Sequence, residues 1–170
     1  MDIQNTFSIT DDSGFLAIVN PDKYKSFVNE QWELPDLIER FVDQMNDETL
    51  IIWATGSENT WAISFVDKPS DKFAARKFDK TIEVTNGQLF LTNFEDLSVA
   101  AQFEREKVPS AHNSWQNITL DNGKYNLTIR QLFDPATNEY EVGKINFEIV
   151  VQRALDGQNR KVDTVFWWTQ

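Results

Sequence analysis

Thr81-Ile-Glu-Val-Thr-Asn-Gly-Gln-Leu-Phe-Leu-Thr92 is the stretch on which the reading of the fold turns. Asn86-Gly87 is the pair a two-residue type I′ turn demands, because both central residues need φ > 0. A hairpin closed there sets Val84 opposite Leu89 and Ile82 opposite Leu91, and opposite residues share a face. Four aliphatic side chains then form one apolar surface, with Glu83 and Phe90 on the reverse. A lone hairpin is not stable in water, so this surface needs a cover that the remaining chain must supply.

Outward from this stretch, similar signals recur. A second Asn-Gly turn at Asn122-Gly123 sets Leu120 opposite Tyr125, Ile118 opposite Leu127 and Asp121 opposite Lys124, a favourable cross-strand charge pair. Leu50–Ala54 and Thr60–Val66 flank Gly56-Ser57-Glu58-Asn59, with Ile52 opposite Ile63. Ile51, Trp53 and Ala62 make the other face of that pair apolar too, so both sides are expected to be covered. Phe7 and Ile9, the turn Asp11-Asp12-Ser13-Gly14 and the run Phe15–Val19 read as a first hairpin. Phe73–Phe78 is a basic segment suited to a sheet edge. Ile145, Phe147, Ile149 and Val151 alternate cleanly, Asp156-Gly157 turns, and Val165–Trp168 reads as a last strand. Leu97, Val99, Ala101 and Phe103 also alternate, so Asn93–Phe103 is read as a strand, with a short helix as its alternative. Val108–Ser114 reads as loop.

Two helices are expected near the N-terminus. Asn20-Pro21 offers an N-cap and a proline at the first helical position, followed by Tyr24, Phe27 and Val28. A second helix starts at Pro35, where Leu37, Ile38, Phe41, Val42 and Met45 form an apolar stripe. Its opposite face carries Asp36, Glu39, Arg40 and Asp43, with Asp36–Arg40 as the favourable i,i+4 pair. The fold class is therefore mainly β: an antiparallel β-sandwich, one domain over residues 1–170, with a small helical insertion at about 21–46. Turn signals at such regular spacing are the mark of that class.

Charge and composition bound the function. The net charge is −11, and between Glu30 and Glu48 seven acids stand against Arg40 alone, −6 of that total. Such a surface repels nucleic acid and anionic membrane and attracts basic proteins. The chain has no Cys and one His, which leaves no disulfide framework and argues against a zinc site. No basic n-region followed by an apolar run opens the sequence, and no run approaches the ~20 apolar residues of a transmembrane helix. A cytoplasmic protein is expected. His112 sits in no nucleophile-elbow context, and Asp11-Asp12-Ser13-Gly14 lacks the alternating acids and distal Glu of a calcium loop. No glycine cluster cradles phosphate, and nothing selects a catalytic carboxylate pair among 27 acids. No cofactor, metal or catalytic residue is assigned.

Leu120-Asp121-Asn122-Gly123-Lys124-Tyr125-Asn126-Leu127-Thr128 resembles the G-x-Y-x-L-T stretch of the competence protein J type of nuclease inhibitor. The order of short hairpin, Asn-Pro-Asp helix, Trp-containing loop and hydrophobic hairpin is similar to bacterial families encoded beside polymorphic toxins. The resemblance implies an immunity or antitoxin-like protein without catalysis, which inhibits a cognate toxin, often a nuclease, by blocking its basic active site. Glu33, Asp36, Glu39 and Asp43 are the expected contact acids and Trp32 the expected anchor. The alternative is a β-sandwich carbohydrate-binding module, in which one or two of Trp53, Trp61, Trp167 and Trp168, with Trp32 or Trp115, form a stacking platform.

Overall fold

The computed structural model describes residues 2–137 and 144–169. In chain order the elements are β1 (Gln4–Asp11), β2 (Phe15–Val19), α1 (Leu34–Asn46), β3 (Leu50–Ala54), β4 (Asn59–Val66), β5 (Arg76–Val84), β6 (Gln88–Asn93), α2 (Phe94–Gln102), β7 (Asn117–Thr119), β8 (Gly123–Gln131) and β9 (Phe147–Arg153). They build a mainly β protein with two sheets, ordered β1-β4-β9-β8-β5 and β3-β2-β6-β7.

Each of the four loops predicted to close a hairpin bends the chain, yet none closes one. β5 pairs with β8, Ile82 facing Tyr125 and Val84 facing Gly123. β6 lies in the other sheet between β2 and β7. The predicted pairings Val84–Leu89 and Ile82–Leu91 are therefore wrong as register. All four residues nevertheless meet in the core between the sheets. The type I′ geometry fails along with the register, because Gly87 alone is left-handed (φ 73) and Asn86 is not; a reversal does not specify the partner strand. The two Asn-Gly loops bond to each other instead. The Gly87 N–H donates to Asn122 Oδ1 at 2.8 Å, and the Leu120 N–H donates to the Gly87 carbonyl at 2.9 Å.

The same correction holds for β1/β2, β3/β4 and β7/β8. Each pair straddles the two sheets, and the predicted registers Ile52–Ile63 and Leu120–Tyr125 do not occur. Lys124 therefore does not pair with Asp121. It reaches Glu48 at 3.0 Å, while Asp121 lies 3.8 Å from Arg153. The sheets are not wholly antiparallel either, because β4 and β9 run parallel. β5 is an edge strand, as its basic start suggested.

Two apolar layers follow from period-2 alternation. Ile51 and Trp53 of β3 join Ile9, Trp61, Ile63, Tyr125, Leu127, Ile149 and others between the sheets. Leu50 and Ile52 point the opposite way, with Ala17, Val19 and Phe90, against Leu37, Phe41 and Met45 of α1 and Leu97, Ala100 and Ala101 of α2. β3 is covered on both sides, as its sequence indicated.

Asn93–Phe103 contains a helix, against the strand preference. Leu97, Ala100 and Ala101 also satisfy an i, i+3, i+4 spacing. The deciding feature is the N-cap: Asn93 Oδ1 accepts the Asp96 N–H at 3.0 Å, and its Nδ2 donates to the Thr10 carbonyl at 2.9 Å. The helix expected at Asn20–Asn29 does not form. Asn20 Oδ1 caps a single turn, accepting from the Asp22 and Lys23 N–H groups at 3.0 and 3.3 Å. The following segment then gives its backbone to neighbours: Lys25 N–H to Gln44 Oε1, and the Val28 and Asn29 N–H groups to the Ala101 carbonyl. Helical insertion within 21–46 is thus confined to α1. Val165–Trp168 is no strand but a single parallel bridge between Trp53 and Phe166, which shields the β3 edge.

Candidate protein-binding surface

α1 begins where Glu33 and Asp36 cap it: the Glu33 N–H donates to Asp36 Oδ2 at 3.1 Å, and Pro35 occupies the first turn. Because Leu37, Phe41 and Met45 are wholly buried, helical periodicity turns Asp36, Glu39, Asp43 and Asp47 outward. All four are exposed, as are Glu30 and Glu33. The acids selected from sequence are thus brought onto one exposed stretch. Among the described residues none of Glu33, Asp36, Glu39 and Asp43 forms an ion pair. The expected Asp36–Arg40 pair does not form. Arg40 donates to the carbonyls of Lys25 and Phe27 at 2.9 and 2.7 Å, fixing the segment before α1. Asp36, Glu39, Arg40 and Asp43, with Val28 and Asn29, line a shallow polar hollow of about 350 Å³.

Trp32, the expected anchor, is held by contacts within the fold. It is partly buried against the helical layer, and its indole N–H donates to the Ser98 carbonyl at 3.2 Å. It braces the acidic ridge from within. Apolar surface beside the ridge comes from the next helical row, Leu34, Ile38 and Val42. With Pro35 and Trp168 these line a second hollow of about 330 Å³, whose two other members are Glu39 and Asp163. Sequence alone could not place Trp168 or Asp163 there, since both arrive from the far end of the chain.

Glu48, the seventh acid of the segment, leaves the ridge. The Glu48 N–H bonds the Met45 carbonyl and the Thr49 N–H bonds the Gln44 carbonyl, the paired bonds of a Schellman C-cap. Glu48 holds the left-handed position at φ 62, where glycine is usual. Its buried carboxylate accepts from Lys124 at 3.0 Å and from Asn159 at 3.3 Å. Beside it Lys80 is buried and donates to Asn159 Oδ1 at 2.8 Å. Burial pushes the Lys80 amine down to about 8, against the opposing pull of Glu48.

The platform alternative loses its centre. Trp53 and Trp61 are both at 0% exposure, Trp61 donating to Asp11 and stacking on Phe133 at 5.2 Å. Trp167 sits beneath Arg76 at 4.1 Å, and Trp115, exposed, meets only the edge of Phe7. Among the described residues no three His, Cys, Asp or Glu side chains come together as a metal site. No helix among the described residues is long and apolar enough to cross a membrane.

No family model matches the chain, and no curated protein matches it in sequence. Its backbone is similar to two solved structures. One is named crocagin biosynthetic gene J, with TM-score 0.55 and 10% identity, covering 90% of this chain and 97% of that one. The other is ComJ from Bacillus subtilis, described as the inhibitor of the DNA-degrading activity of NucA, with TM-score 0.53 and 9% identity, covering 91% and 99%. The resemblance drawn from Gly123–Thr128 holds at the level of fold. In that stretch Tyr125 and Leu127 are core residues, and the Tyr125 hydroxyl donates to the Asp121 carbonyl at 2.7 Å.

Proposed function

We propose that this chain is an immunity-type inhibitor: it binds a cognate bacterial toxin of the nuclease class and covers that enzyme's basic active site, without performing a reaction. The observation that carries this reading is the row Glu33, Asp36, Glu39 and Asp43, exposed on α1 and its N-cap and, among the described residues, in no ion pair. Fixed carboxylates on a rigid helix imitate the charge of a nucleic-acid backbone. They steer a cationic partner into place, which raises the association rate more than the final affinity. The fold shared with ComJ, whose own description is that of a nuclease inhibitor, supports the same class. Trp32 contributes by holding the ridge against α2.

The test is association with the product of the adjacent reading frame, measured as salt is raised. Asp36→Lys with Glu39→Lys is expected to slow association on the order of tenfold or more at low salt and to flatten the salt dependence. Equal rates for the double variant and the parent chain would remove this face from the interaction.

A further inference from the structure

The row Leu34, Ile38 and Val42 follows the buried stripe of α1 by one position and is not closed over by the fold. Leu34 is 45% exposed, and the hollow it lines with Pro35 and Trp168 has a volume of about 330 Å³. That is the small end of ligand-pocket size, about 300–1,000 Å³, and suits one large side chain better than a free metabolite. Its charged members are Glu39 and Asp163, both exposed, and no basic side chain lines it. Glu39 also belongs to the neighbouring polar hollow. An apolar cleft and a carboxylate row therefore share one wall.

We propose that this groove receives an apolar side chain of the cationic partner, presented from a segment with Lys or Arg on both flanks. This deepens the inhibitor reading and rests on it. Charge complementarity selects the occupant. A second copy of this chain would bring −11 against −11, and like charges across an interface are unfavourable. A neutral apolar peptide would leave Glu39 and Asp163 with no counter-charge. A lysine-flanked apolar residue satisfies both the cleft and its rim. The ridge then governs encounter and the groove governs residence, since truncating a buried anchor acts on the off-rate.

Two experiments separate the groove from the ridge. The first uses synthetic nonapeptides with a central Phe between lysines, with Ala in place of Phe, and with glutamates in place of the lysines. Binding is followed by NMR at the Trp168 indole and the Leu34, Ile38 and Val42 methyls of the full chain. The lysine-flanked Phe peptide is expected to shift these signals and to bind about ten- to hundredfold more tightly than its Ala counterpart, the value of burying one large apolar side chain. Equal binding of the Phe and Ala peptides, no shift at the groove signals, or a concentration-dependent dimer of the free chain that Leu34→Ser dissolves would each overturn the proposal. The second experiment uses the toxin complex. Leu34→Ser, a change at an exposed position, is expected to shorten its lifetime at unchanged association rate and salt slope. An unchanged lifetime overturns the groove and leaves the inhibitor reading standing. Absence of any complex with the parent chain defeats the inhibitor reading, while the peptide result still decides the groove.

Discussion

Asp11 ends β1 at 0% exposure, and its carboxylate is saturated. Oδ1 accepts the N–H groups of Ser13, Gly14 and Phe15 at 3.1, 2.6 and 3.0 Å. Oδ2 accepts the Thr55 hydroxyl at 2.7 Å and the Trp61 indole N–H at 3.1 Å. One residue thus ties together the β1–β2 corner, the end of β3 and the middle of β4. Asp11→Ala strips all five donors. Thr55 keeps the Ser57 carbonyl at 2.9 Å, and water reaches part of the turn, so the loss is less than five full bonds. Trp61 is wholly buried, and leaving its N–H unpartnered costs about 1–3 kcal/mol. Loss of the charge-assisted bonds at the turn adds roughly 1.5–3 kcal/mol. A total of about 3–5 kcal/mol is a large fraction of the 5–15 kcal/mol typical of a domain. For a chain of this length each kcal/mol lowers Tm by about 2–4 °C, so a drop of roughly 6–20 °C is expected. Asp11→Asn keeps Oδ1 and places an amide NH₂ against the indole. The Thr55 hydroxyl can rotate to accept but the indole cannot, so a loss of about 2 kcal/mol is expected. Thermal and urea unfolding followed by circular dichroism would measure both, and millimolar calcium should leave the parent Tm unchanged. If both variants unfold within about 1 kcal/mol of the parent, or calcium stabilises the parent and not the variants, the carboxylate does not serve as this corner's hydrogen-bond acceptor.

Asn93→Ala removes the cap of α2 together with the bond to Thr10, and a loss of about 1–2 kcal/mol is expected by urea unfolding. Lys80 is held below its ordinary value of 10.5, at about 8. Between those pH values the unfolded chain keeps a proton that the folded chain has released, so stability should rise as pH increases across that window and stay flat below it. Lys80→Met should abolish this rise in a pH series of thermal melts. Gly87→Val puts a β-branched side chain at φ 73, where it is strained, and should cost about 1–3 kcal/mol while leaving association with a cationic partner unchanged.

Local geometry was legible in the sequence, and strand partnership was not. Asn86-Gly87, Asn122-Gly123 and Asp11–Gly14 announce reversals because their glycines tolerate positive φ and, in the last, Asp11 bonds the turn's own N–H groups. Whether β5 then pairs with β6 or crosses to β8 depends on which apolar faces must meet, and that is settled by β2, β7 and β8 from elsewhere in the chain. Asn93–Phe103 shows the complementary limit. Its residues satisfy both periods, and the Asn93–Asp96 cap tips the balance toward helix. At the candidate surface, the outward row Asp36, Glu39 and Asp43 follows from 3.6-residue periodicity alone. The groove beside it depends on Trp168 and Asp163 folding back against α1, which no local pattern encodes. The Ser98 carbonyl that takes the Trp32 indole N–H is likewise not indicated by any pattern near Trp32.

The chain's path between the sheets has a bearing on how the molecule can be damaged. Because β1, β4, β5, β8 and β9 build one sheet and β2, β3, β6 and β7 the other, a protease nick at the β3/β4 or β5/β6 corner divides both sheets between the two fragments. Neither piece inherits a complete layer, so neither can keep α1 seated on a covered β3. A clipped molecule should therefore lose its acidic helix surface altogether instead of persisting as a weakened binder, and the fragments should regain it only by reassociating.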